Sequence, residues 1–142
     1  MKQRLVIKNG AVSLFLHIAT APFIYSLIIP FVILDVFLET YHRICFPVYG
    51  IPYIKRSAYI RIDRHKLSFL SPIEKVHCMY CGYCNGLTHY ASQIAGASEK
   101  YWCGIRHEQK EGFQEPLHHK DFLPRTAEAL DEYLASLEAN KN

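Results

Sequence analysis

The sequence predicts a mainly α protein in which an N-terminal transmembrane helix is followed by a small α(+β) metal-binding domain built on a Cys-x-x-Cys-Gly knuckle. Three observations predict it. Between Asn9 and Leu34 no side chain carries a formal charge. Cys78-x-x-Cys81-Gly82 and Cys103-x-x-x-His107 offer three thiols and an imidazole at the spacings of a tetrahedral metal site. Leu87, Tyr90, Ala91 and Ile94, at i, i+3, i+4 and i+7, mark an amphipathic helix joining the two ligand pairs.

At 142 residues there is room for one compact core plus an anchor, and the apolar fraction of 50% is concentrated in one segment. The chain divides into a membrane anchor with a juxtamembrane amphipathic helix (1–45), a Pro/aromatic linker (46–56), the metal-binding domain (57–107), and a polar loop with a C-terminal helix (108–142). A formal charge of only +3, with Lys and Arg scattered, argues against a nucleic-acid partner. Five cysteines, an odd number with Cys78, Cys81 and Cys84 crowded together, suit metal thiolates in a reducing compartment better than disulfides.

Residues 11–34 exceed the roughly 20 needed to cross the hydrocarbon core as a helix. The run is too long for the apolar core of a signal peptide, and Asp35 and Glu39 follow it instead of a small-residue cleavage site. Pro22 and Pro30 each remove a helix hydrogen bond, so a kinked single span and a re-entrant hairpin both fit. Lys2, Arg4 and Lys8 precede the run, whereas Arg43, Lys55, Arg56, Arg61, Arg64 and Lys66 follow it, a bias that turns the C-terminal domain toward the cytoplasm. His17 reads as an imidazole at headgroup level.

Asp35, Glu39, His42 and Arg43 fall at i, i+4, i+7 and i+8, a polar stripe on a helix lying where lipid meets water. Glu39-x-x-His42 has the spacing of a di-iron bundle. The other two such matches are poor companions: Glu74/His77 belongs to a capping box begun by Ser71, and Pro116 interrupts Glu115/His118. Pro47, Gly50 and Pro52 end the helix in a stiff aromatic linker, residues 57–63 read as a short strand, and 63–66 as its turn.

Ser71 and Pro72 open a short helix that delivers the chain to Cys78, and Asn85-Gly86 turns it again. Two ligand sets then satisfy the spacing. Cys78, Cys81, Cys103 and His107 make a Cys₃His zinc site and leave Cys84 aside. Cys78, Cys81 and Cys84 with remote Cys103 match the thiolates of a [4Fe–4S] cluster, and mononuclear iron fits the same donors. His77 is a further candidate, while a bare dithiol lacks the strand–helix setting of a redox pair. His118-His119 reads as part of an exposed polar loop. Pro124 and Thr126 open a last helix whose stripe of Leu130, Tyr133, Leu134 and Leu137 suits docking on the domain or on a partner.

Tyr53-Ile54-Lys55-Arg56, Ile62-Asp63-Arg64-His65-Lys66-Leu67, Cys78-Met79-Tyr80-Cys81-Gly82-Tyr83 and Tyr101-Trp102-Cys103 resemble a family of small bacterial membrane-anchored proteins with no established activity. The likeness spans about residues 12–107, and Cys84 departs from the pattern. It implies a single-pass protein of the bacterial inner membrane. The residues themselves point to a zinc-binding module that contacts membrane lipid and docks on a membrane or cytoplasmic protein. Iron-based electron transfer and a metal-dependent enzyme are the alternatives.

Overall fold

The structure, a computed structural model, describes residues 10–139, and side chains from residue 15 onward. The leading cations Lys2, Arg4 and Lys8 lie outside the described residues. Among these residues the chain is helical, with four α-helices and no strand: α1 (Gly10–Ser26), α2 (Ile28–Tyr49), α3 (Pro72–Cys103) and α4 (Ala127–Ala139).

α1 and α2 are one rod with a break, and the re-entrant hairpin is not formed. Leu27, between them, keeps right-handed helical angles (φ −63°, ψ −16°), and its N–H turns back to the Ile24 carbonyl. Pro30 cannot donate to Ser26, which accounts for a break one turn before it. Phe15–Tyr49 is thereby a helix long and apolar enough to cross a membrane, with an 18-residue stretch whose mean hydropathy is 2.2. α2 also runs further than its prolines suggest. Pro47 is accommodated inside it, and the helix stops only at Gly50, whose φ of +66° is the left-handed C-cap that a side chain would resist.

The expected strand at 57–63 is instead a single 3₁₀ turn (Arg56–Ala58) followed by irregular chain, because the N–H groups of Ala58, Tyr59 and Ile60 are taken up by local turns and, among the described residues, no second strand is present to pair with it. The largest departure is α3. Ser71 opens it with a complete capping box, accepting from the Glu74 N–H while Glu74 accepts from the Ser71 N–H. From there the helix runs unbroken through the whole Cys-x-x-Cys-Gly and Asn-Gly stretch to Cys103. Asn85 does not turn the chain; its side-chain amide donates to the Cys81 carbonyl one turn back. Gly86, normally a helix weakness, is repaid by close packing: a Cβ there would lie 2.9 Å from Ile60 Cα and from the Tyr59 carbonyl oxygen.

α3 runs alongside α1–α2 in the same direction. Tyr80 meets Ile24, Tyr83 meets Asp35, Tyr90 meets Glu39 and His42, Tyr41 meets Ser98, and Tyr49 stacks on Tyr101. The residues between the helices return along this seam. Phe46, Leu87, Tyr90 and Ile94 are buried at its centre, with Tyr41, Tyr59 and Ile60 packed around them. It is a thin core for a domain of this size, and polar contacts carry much of its specification.

Candidate metal centre

The predicted ligands do not converge. A helix turns residues three apart by about 60° relative to one another, so Cys78, Cys81 and Cys84 fan around α3 instead of aiming at one point. Cys81 is exposed and Cys84 buried, and burial pushes the Cys84 thiol up, which keeps it an unreactive packing group. Cys81 and Cys103 stand about 33 Å apart at the helical rise, far too distant to share one ion. The Cys₃His zinc knuckle on Cys78, Cys81, Cys103 and His107 is therefore not assembled, and neither is a cluster site using Cys84. The reason is the same in both cases: the glycines that suggested a tight turn serve instead to let a chain segment lie against a continuous helix.

What does converge is a carboxylate ringed by imidazoles at the far end of α3. Glu99 Oε1 lies 3.4 Å from His107 Nε2 and 3.3 Å from His119 Nε2. Glu99 Oε2 lies 3.0 Å from His118 Nε2. One donor atom from each of Glu99, His107 and His119 fits within a 4.8 Å group. Donors at tetrahedral corners, with zinc bond lengths of about 2.0–2.1 Å, are about 3.3–3.4 Å apart, which matches both separations measured from Oε1. His118 holds the second carboxylate oxygen and so fixes how Glu99 presents the first. That hydrogen bond, opposed by burial and reinforced by His119, holds the Glu99 carboxyl below its ordinary value, so the group is an anionic donor.

The chain builds this centre by folding residues 104–123 back onto α3. Leu123 N–H donates to the Gly104 carbonyl, Arg106 N–H to the Leu123 carbonyl, and the Arg106 guanidinium clasps the carbonyls of His119 and Lys120. The last two bonds satisfy the end of a 3₁₀ helix (Leu117–Asp121) that carries both histidines. His119 is buried and stacked on Phe122, which corrects the reading of His118-His119 as part of an exposed loop. Gly96 is where the His118 ring rests on α3; a Cβ there would come within 2.8 Å of its Cγ. His119 Nδ1 is buried without a hydrogen-bond partner, and Glu115 Oε1, 3.9 Å away, is the nearest carboxylate, one short movement from an imidazole–carboxylate pair. Cys103 and His107 share the wall of a cavity of about 530 Å³ with Glu99, so the second half of the predicted set is near the centre, although only His107 contributes a donor atom.

In the polar stripe of α2, Asp35, Glu39 and His42 face protein, and only Arg43, paired with Glu39, is exposed. Arg56 grips Asp35 through both terminal nitrogens, Nη2 to Oδ2 at 2.7 Å, and the Tyr83 hydroxyl donates to the same carboxylate. His42 is wholly buried and spoken for on both nitrogens. Its Nε2 accepts the Ile54 N–H, so the neutral ring carries its proton on Nδ1 and donates to Tyr90, whose hydroxyl donates to Glu39. With its donors and acceptors matched, the Glu39/His42 pair is a structural bridge and not half of a di-iron face.

Sequence reasoning missed Glu99 and set the adjacent His118 and His119 aside as an exposed loop. The available signal was Glu115 four residues before His119, next to an aromatic Phe122, but nothing local tied them to Glu99. Compared with known protein families, with curated proteins and with solved structures, the chain matches none.

Proposed function

We propose that this is a membrane-anchored metal-binding protein whose head holds a zinc ion on Glu99, His107 and His119 and docks on a membrane-associated partner. The observation that supports it best is the convergence of two imidazole nitrogens on one carboxylate oxygen at tetrahedral edge lengths. Three protein donors leave a fourth position toward the cavity beside Cys103 and Phe113. A structural zinc site is closed by four protein ligands, so here the last is supplied by a partner's side chain or by water. The exposed stripe of Leu130, Tyr133 and Leu134 on α4 is a surface suited to such a partner. The Lys and Arg bias after the apolar run, together with free thiols, favours an inner-membrane protein with a cytoplasmic head.

The open position also supports a second reading, a metal-dependent enzyme. Two histidines and one carboxylate with free positions bind zinc in hydrolases and ferrous iron in oxygen chemistry. Metal content of the full chain, purified anaerobically in detergent, tests the site. About one ion per chain is expected, lost in Glu99→Gln and His119→Ala but kept in Cys81→Ala and Cys84→Ala. Metal lost in Cys81→Ala and retained in Glu99→Gln would return the site to the thiolates. The identity of the ion, zinc or iron, comes from the same measurement.

A further inference from the structure

The stripe by which α3 packs on the anchor does not end where its protein partner ends. Tyr83, Leu87, Tyr90 and Ile94 lie on it against α2, and about two and three turns before Tyr83, Val76 and Ile73 continue the same helical face. These two are 56% and 71% exposed, and Phe69 in the preceding loop is 76% exposed. The level at which they lie is fixed by α3's first contacts with the anchor. The Tyr80 hydroxyl donates to the Ile24 carbonyl at 2.6 Å, and the Tyr25 ring meets His77 and Tyr80 edge-on. Tyr25 is about 14 Å before Leu34 along the helix, well inside the charge-free run. The head thus overlaps the apolar run instead of beginning beyond it. The hydroxyl of Tyr80 also engages a carbonyl beside the break, as a helix in lipid requires from its neighbours.

We propose that residues 67–79 form a second membrane-contacting element that enters the bilayer beside the anchor, with Phe69, Ile73 and Val76 among the acyl chains. This rests on the anchor reading above. Lipid is the occupant that fits, because the stripe meets the rod at Ile24 and Tyr25, the level at which the rod itself exposes Phe23, Leu27 and Ile29. Charge agrees: exposed Arg64 and Lys66 and half-buried Lys75 flank the tip, and their long apolar stems let the cationic ends reach toward anionic headgroups. Glu74, the acid at the tip, is turned inward to the Ser71 N–H by the capping box. An apolar wedge with a basic collar is the pattern of an interfacial element seated in the headgroup–acyl boundary.

The test uses the full chain in vesicles of phosphatidylcholine and phosphatidylglycerol, with Trp102→Phe removing the native tryptophan. Phe69→Trp then reports on the tip and Phe23→Trp on the anchor; both side chains are exposed, so neither change disturbs packing. Lipid brominated on its acyl chains is expected to remove roughly half or more of the emission of both reporters, with acrylamide removing little. Anchor emission quenched by bromolipid while the tip answers only to acrylamide would overturn this inference and leave the anchor standing. A tip shielded from both quenchers would overturn it in favour of a second copy covering the stripe. If neither reporter answers to bromolipid, the anchor reading fails and the inference falls with it.

Discussion

At the residue scale, glycines and buried charges decide more than the cysteines do. Gly86→Ala improves helix propensity by about 1 kcal/mol, yet its Cβ collides with backbone that cannot swing aside. The net expectation is a loss of about 1–3 kcal/mol, read as a lowered denaturation midpoint. Gly96→Ala strikes the His118 ring instead, so it should weaken metal retention more than it lowers overall stability; metal content measured beside a thermal scan separates the two. Asp35→Ala leaves Arg56 a half-buried cation without its bidentate partner and frees the Tyr83 hydroxyl, an expected cost of about 1–3 kcal/mol. A double-mutant cycle with Tyr83→Phe should show strong coupling, because both contacts end on one carboxylate.

At the element scale, the α2–α3 seam is held by tyrosine hydroxyls as much as by apolar packing, and this makes it sensitive to alkali. Burial, and then the hydrogen bond to Asp35, push Tyr83 up to about 12 from an ordinary value of 10.0. Its neutral form is the one the fold favours, so the stabilisation is complete below pH 10 and is lost as pH rises toward 12. Helical signal falling in that window together with the rise of phenolate absorbance is the expected result, and Tyr83→Phe should blunt it. α4 behaves differently. Its Leu130, Tyr133, Leu134 and Leu137 stay exposed, so truncation after Thr126 should leave the thermal transition of the head unmoved while abolishing capture of any docking partner.

At the scale of the whole molecule, the apolar rod and the head are one construction, with α3 meeting the rod from Ile24 onward and the returning chain seated on its second half. A reporter fused after Asn142 is expected to be active in the cytoplasm, given the cations that follow the apolar run. Activity confined to the opposite side would reverse the topology without touching the fold. What the sequence by itself determined are features written in contiguous residues: the apolar helix, the Ser71 capping box, and the amphipathic last helix. A charge-free run or an N-cap needs only its neighbours to take effect. The fate of the Cys-x-x-Cys-Gly stretch was not legible, because thiols three apart with glycine beside them suit a metal turn or one face of a helix equally. Only the approach of Tyr59 and Ile60 to Gly86 decides for the helix. The same holds for the centre at Glu99 and for the stripe of Asp35, Glu39 and His42. Their partners come from distant positions, and local spacing carries no information about which distant side chain a donor will meet; that is decided when the chain after α3 folds back and the chain before it returns along the seam.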